Sequence, residues 1–201
     1  MRKNLVTLFA LIGWFAVIAQ YYLMIENRVA SITETTIRFF SFFTILTNSL
    51  VAFYFTMQFL GKAHRFFNKP GVLTAITIYI TVVCLVYQIV LRHIWQPTGL
   101  QKLVDELLHT IIPVLVIIFW YLYENKSAIK YSQILKWLIY PLLYLIYILI
   151  RGGVSGFYPY PFVNISELGL EKVLLNSALL LLGFFAVSIL YIRTGKVINK
   201  K

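Results

Sequence analysis

Cysteine, acidic residues and polar linkers are what this chain has least of. Its one cysteine, Cys84, lies inside an apolar run, so an intrachain disulfide is excluded and redox compartment is left open. Charged residues are 12% of the 201 positions and hydrophobic ones 60%, a balance foreign to a soluble domain of this length with its larger share of polar surface. Only 7 residues are acidic against 18 Lys and Arg, which leaves a net charge of +11. That excess does not describe a nucleic-acid binder, because the basic residues punctuate the apolar runs and form no separate basic domain. There is no soluble domain, no low-complexity stretch, and no P-loop or dinucleotide fingerprint.

What is present is six apolar runs: Leu5–Ile25, Ile37–Leu60, Val72–Leu91, Leu103–Tyr123, Ile134–Ile150 and Val173–Ile192. Each matches the roughly 20 residues, range about 17–25, needed to cross the hydrocarbon core as a helix. None alternates with period two as a barrel strand does, so helices satisfy the backbone in lipid. Arg2 and Lys3 before the first run resemble the start of a signal peptide. Tyr21, Tyr22 and Met24 carry the run past any cleavage after Ala19, so it is expected to stay as a spanning helix. Twelve Lys and Arg fall on one side of these spans: Arg2, Lys3, Lys62, Arg65, Lys69, Lys126, Lys130, Lys136, Arg193, Lys196, Lys200 and Lys201. Six fall on the other: Arg28, Arg38, Arg92, Lys102, Arg151 and Lys172. The positive-inside rule then puts both termini in the cytoplasm. The expected fold is all-α, a single polytopic domain over 1–201 that forms a six-transmembrane-helix bundle in the cell membrane.

Residues 152–172 form the one unusual connector, on the outer side. Gly152, Gly153, Gly156, Pro159 and Pro161 break helix there, and Phe157, Tyr158, Tyr160 and Phe162 suit the membrane interface. It reads as an ordered outer cap, or as an ordinary aromatic belt. Asn164-Ile165-Ser166 also matches a glycosylation sequon.

Polar residues gather at the outer level of the spans. The second helix is expected to run inward from near Ile37, which puts Thr44 about 10 Å below its outer end, and His109 lies about 9 Å below Leu103 on the fourth. Asp105 precedes His109 by four residues and shares its helix face. Ser41, Thr44 and Asn48 fall on one stripe. Gln88 and Arg92 close the outer end of the third helix, and Tyr147 and Arg151 that of the fifth. Pro113 lacks an N–H, so the carbonyl of His109 is expected to lose its helical partner, and Pro141 does the same to that of Trp137.

Lone threonines in membrane helices usually bond their own i−4 carbonyl or glue helices. A histidine with an aspartate inside a span is costlier to keep and marks a site, the bland alternative being a polar clamp. A hydroxyl beside a carboxylate-held imidazole has the layout of an activated nucleophile. In that chemistry His109 takes the proton of Thr44, Asp105 orients the ring, and Asn48, Tyr147 or Arg151 donates to the oxyanion. Gln88, Tyr158 and Tyr160 are candidates to contact the substrate, a lipid that enters sideways from the outer leaflet. Thr47, one turn from Thr44, is a second candidate nucleophile. No cofactor and no metal is expected: there is no HExxH and no cysteine cluster, and the only arrangement to weigh joins His93 and His109 to Asp105 or Glu106.

Three segments in order, 42–48 (FFTILTN), 105–113 (DELLHTIIP) and 151–162 from Arg151-Gly152-Gly153 to Tyr158-Pro159-Tyr160-Pro161-Phe162, resemble a bacterial family of predicted six-helix membrane proteins. That family is more distantly similar to the eukaryotic androgen-induced and androgen-dependent membrane proteins. The likeness covers roughly residues 5–195. The eukaryotic relatives are threonine hydrolases of fatty acid esters of hydroxy fatty acids. The resemblance implies Thr44 as nucleophile and His109 as base, with a membrane fatty-acyl ester as substrate. Two departures stand out: Thr47 replaces an aspartate three positions after the nucleophile, and the proline after the histidine sits one residue closer. The competing reading is a non-enzymatic membrane protein, either a small-solute transporter or a lipid-binding scaffold. No repeat relates the first three helices to the last three, which disfavours a transporter.

Overall fold

The computed structural model describes residues 2–61 and 66–198, so Lys62, His64, Arg65, Lys200 and Lys201 lie outside the described residues. The described residues are helical throughout their regular structure. Five helical stretches are long and apolar enough to cross a membrane, or six if one bent pair counts as a span. The sequence reads as one domain; the chain folds as two compact units, Met1–Asn125 and Lys126–Lys201.

The first unit holds α1 (Arg2–Glu26), α2 (Ile32–Phe39), α3 (Phe43–Phe59), α4 (Val72–Val86), α5 (Gly99–Glu106) and α6 (Ile112–Tyr123). Its core is a triangle of rings from α1, α3 and α6: Phe9 and Phe55 lie 5.1 Å apart, Phe55 and Phe119 4.9 Å, Phe9 and Phe119 5.8 Å. Edge-on ring pairs of this kind add about 0.5–1.5 kcal/mol each beyond the area they bury. Gly13 lets α1 press on α3, since a Cβ placed there would meet that of Ala52 at 2.9 Å. Small residues at a crossing bring backbones together where lipid gives helices no hydrophobic reason to associate. Side-chain bonds add glue: Trp14 Nε1 donates to Thr56 Oγ1 at 3.0 Å, Trp120 Nε1 to Thr74 Oγ1 at 2.9 Å, and Gln101 Nε2 to Gln20 Oε1 at 2.8 Å.

The second run is not one straight helix. α2 and α3 meet at a bend of 72° across residues 40–42. Neither proline nor glycine occurs between Ile32 and Phe59. The break comes from side chains. Ser41 Oγ donates to the carbonyl of Ile37 at 2.7 Å, a back-bond that bends helices, while Phe39 packs edge-on to Tyr21 at 5.0 Å. Phe42 turns extended and α3 begins at the next residue. Thr44 is therefore in the first turn of a helix, not two turns down one, and Ser41 leaves the expected stripe.

α4 continues as a π-turn over Tyr87–Leu91, and a second π-turn, Leu107–Ile111, joins α5 to α6. At the other end of these helices Gly71 takes φ 90°, open to glycine, and starts α4. Glu124, just past α6, accepts from the backbone N–H of Thr74 at 3.1 Å and of Gly71 at 3.4 Å. A carboxylate there suits the positive end of a helix. Burial, the largest influence on it, pushes the Glu124 carboxyl above the usual range, and the amide bonds pull it partly back.

In the second unit α7 (Ile134–Ser155) packs against α9 (Leu170–Ile198), with Pro141 inside α7. Their outer faces expose Leu135, Leu143, Ile150, Leu175, Leu182 and Leu190, the composition of a lipid-facing surface. The connector begins later than expected. Gly152 and Gly153 stay helical, and α7 ends at Gly156, whose φ of 69° closes the last turn. From there a short 3₁₀ turn, Pro161–Val163, leads to α8 (Ile165–Leu168). Asn176 Nδ2 ties this connector to α9 by donating to the carbonyl of Phe162 at 2.9 Å.

Candidate functional site

The two π-turns of the first unit face each other through their side chains. A π-turn widens the helix by one residue and often marks a functional site. The ring of Tyr87, from the first, stacks on the imidazole of His109, from the second, with centroids 4.2 Å apart and planes 13° from parallel. Asp105, the only aspartate in the chain, sits one turn before His109. Its residue is 5% exposed. The hydroxyl of Tyr87 donates to Asp105 Oδ2. His109 Nδ1 lies 2.9 Å from the backbone carbonyl of Asp105 and 3.2 Å from its Oδ1. Both partners are acceptors, so Nδ1 carries the proton, and in the neutral ring Nε2 holds the lone pair. The carboxylate thus fixes the orientation of the imidazole.

A second set of groups continues outward. Arg92 pairs with Glu106 and passes 5.6 Å over the Tyr87 ring. Glu106 Oε2 accepts from Thr110 Oγ1 at 2.7 Å, and Thr110 Oγ1 accepts from Gln88 Nε2 at 2.9 Å. Gln88 Oε1 in turn accepts from Arg92. These four residues close a ring between the two helices, and Gln88 pairs them through both ends of its amide.

Asn48 joins α3 to this region. It is 0% exposed. Its Nδ2 donates to the carbonyl of Thr44 at 2.9 Å and to that of Leu108 at 3.2 Å. The Leu108 carbonyl has a reason to be available. Ile112 N–H reaches back five residues to Leu107, and in that register the next carbonyl, Leu108, faces Pro113, which has no N–H. The group orphaned by the proline is thus Leu108 and not His109, as an α-helical register predicts. Asn48 places the backbone of Thr44 and that of Leu108 within one amide's reach of each other. It directs its amide nitrogen to these two carbonyls, where the sequence reading expected it to donate to an oxyanion. Thr44 itself is buried at the start of α3.

The remaining candidates belong to the second unit. Tyr147 is exposed and lies 6.5 Å from the ring of Tyr144. Arg151 donates to Ser155 Oγ at 2.9 Å and to the carbonyl of Phe157 at 3.2 Å, and its guanidinium rests 4.9 Å over the Phe157 ring. Tyr158 packs on Gly152, where any Cβ would clash with its ring. Tyr160 stacks on Phe162 at 5.1 Å. Asn164, the sequon asparagine, caps α8 by accepting from Ser166 N–H at 3.1 Å. His93 is exposed, and among the described residues no three His, Cys, Asp or Glu side chains converge as metal ligands.

Sequence reasoning missed Tyr87 and Glu124. Tyr87 sits beside Gln88 but reads as one more aromatic in an apolar run, and Glu124 follows the fourth run as an ordinary boundary charge. No family model, no curated protein and no solved structure matches this chain.

Proposed function

We propose that this chain crosses the cell membrane six times with both ends in the cytoplasm and hydrolyses fatty-acyl esters of membrane lipids. The topology rests on the bias of Lys and Arg to one side of the spans. The observation that carries the chemistry is the Asp105–His109 couple, an imidazole held at Nδ1 by a buried carboxylate on a π-turn. Asn48 supports Thr44 as its partner, because it links the start of α3 to the residue before His109.

In this reading His109 Nε2 takes the proton from Thr44 Oγ1 as that oxygen attacks the ester carbonyl carbon. The oxyanion forms at the start of α3, where the positive end of the helix favours negative charge. The tetrahedral species collapses, the C–O bond to the alcohol breaks, and His109 returns the proton to the departing alkoxide. Water, activated by the same ring, then cleaves acyl-Thr44 and releases the fatty acid.

The test is ester turnover by the purified chain in phosphatidylcholine vesicles, followed as free fatty acid from a panel of acyl esters. Thr44→Ala and His109→Ala are expected to abolish release, and Thr44→Ser to keep part of it. Folded alanine variants that turn over esters like the parent protein would sink the proposal. One observation favours a second reading, a non-enzymatic membrane protein: the Arg92–Glu106–Thr110–Gln88 ring is complete as a clamp between helices. Under that reading Glu106→Gln lowers stability in detergent and no ester is hydrolysed by any form.

A further inference from the structure

Charge is divided unevenly between the two sides of the spans. The side that carries both termini has twelve Lys and Arg and one acid, Glu124, while the other has six Lys and Arg and six acids. The whole excess of +11 therefore belongs to one side.

In the second unit part of that excess is gathered and exposed. The unit's only acids, Glu167 and Glu171, lie in α8 and at the start of α9. Arg193 and Lys196 are at the far end of α9, and Lys130 and Lys136 flank the start of α7. All four cations are exposed. From Glu171 to Arg193 α9 rises about 33 Å, well beyond the Debye length of about 8 Å at physiological salt, so the acids do not neutralise the far end. Two contacts hold that end together. The ammonium of Lys196 stands 4.1 Å over the ring of Tyr131, in the 3₁₀ turn before α7. Gly195 packs on Lys126, where an added Cβ would lie 3.3 Å from that of the lysine.

The helix faces beneath these cations define the ligand. Lys136 shares a stripe of α7 with Ile139 and Leu143, and Arg193 shares one of α9 with Leu182 and Leu190, by helical spacing. All four apolar side chains are exposed. A stripe that is apolar along its length and cationic at its end matches one leaflet of a bilayer, acyl chains first and headgroup last. A soluble polyanion would leave the apolar part unmatched. Since that end of the unit has no carboxylate of its own, the counter-charge comes from the headgroup.

We propose that Lys130, Lys136, Arg193 and Lys196 form a binding site for the headgroups of anionic phospholipids, in the leaflet on the side of the two termini. Clusters of four or more Lys and Arg beside a span attract acidic lipids in this way. The inference rests on the membrane-spanning part of the reading above and on no step of ester hydrolysis.

Electron spin resonance of spin-labelled lipids tests this on the full-length chain in phosphatidylcholine membranes. Lipid held at the protein surface gives a motionally restricted signal, and labelled phosphatidylglycerol is compared with labelled phosphatidylcholine. Phosphatidylglycerol is expected to be preferred by about fivefold or more, the equivalent of one basic side chain at an anionic surface. Salt at about 1 M, where the Debye length is about 3 Å, should remove most of that preference. The combined variant Lys130→Gln, Lys136→Gln, Arg193→Gln and Lys196→Gln should lose most of it too, while Arg28→Gln with Lys172→Gln, on the other side, keeps it. Equal restriction of both lipids by the parent chain overturns the proposal. So does a preference that survives high salt or the combined variant, or one that Arg28→Gln with Lys172→Gln abolishes equally. Absence of restricted lipid of either kind would instead overturn the membrane-spanning reading itself, and this site with it.

Discussion

One helical rod, Gly99–Tyr123 with its continuation, carries a carboxylate near each end, Asp105 buried and Glu124 half-buried, and the two are held in different ways. Asp105 and Glu124 lie about 28 Å apart along it. Glu124 is held by backbone: the N–H groups of Gly71 and Thr74 donate to its oxygens as they would to any N-terminal cap. Asp105 is held by side chains, the phenol of Tyr87 and the imidazole of His109. A backbone partner completes a helix end and offers nothing further to react. A titratable ring with a second nitrogen still holding its lone pair can pass the effect of the carboxylate on to a third group. The difference separates a structural acid from a candidate catalytic one.

Substitutions can sharpen or break this contrast. The largest effect is expected from Asp105→Asn, which should cut ester hydrolysis by about 10⁴-fold, the loss seen when a base loses its orienting carboxylate, while Glu124→Gln leaves turnover unchanged. Equal losses from both, measured on folded protein, would dissolve the distinction. Tyr87→Phe keeps the stack on His109 and removes one bond to a charged oxygen, about 1.5–3 kcal/mol, so hydrolysis should slow by roughly tenfold or more. Tyr87→Leu, which also removes the ring, should slow it further; no effect from either would reduce Tyr87 to packing. Away from both acids, Gly13→Val should destabilise the first unit by about 1–3 kcal/mol in a thermal melt, because α1 and α3 have no room for the added carbons. Glu124→Ala should cost about 0.5–2 kcal/mol as a lost cap. Glu124 also makes a signed prediction about pH. Burial raises its folded value, so its stabilising contribution is complete below the ordinary glutamate range and fades as pH rises through the raised value. Glu124→Gln should flatten that part of the melting profile, and an unchanged slope would remove Glu124 as its source.

The runs were legible because length and apolar content decide them: five of the six appear as long helical stretches that start within four residues of the expected position, although the last two run on past Ile150 and Ile192 to Ser155 and Ile198. The sixth was misread at its start, since the bend at residues 40–42 comes from Ser41 and Phe39 in their tertiary setting and leaves no glycine or proline as a trace. Asp105 and His109 were legible as a pair from their spacing of four. Tyr87 was not, because its role depends on a neighbouring helix. Asn48 was legible as a buried polar residue, but which of its two ends is occupied depends on the Leu108 carbonyl, and so on a π-turn with no periodic signature.

The two π-turns also set phase. Each holds one residue more than the α-helix it interrupts, and a residue advances a helix by about 100°. Deleting a single residue from either turn would therefore return the helix to α register and swing every side chain on one side of it by more than a quarter circle. The faces that pack Val104 and Val116 into the core would then no longer point the same way. The site and the packing of the rod that carries it share one geometric offset, so the chain cannot lose the first by shortening without disturbing the second.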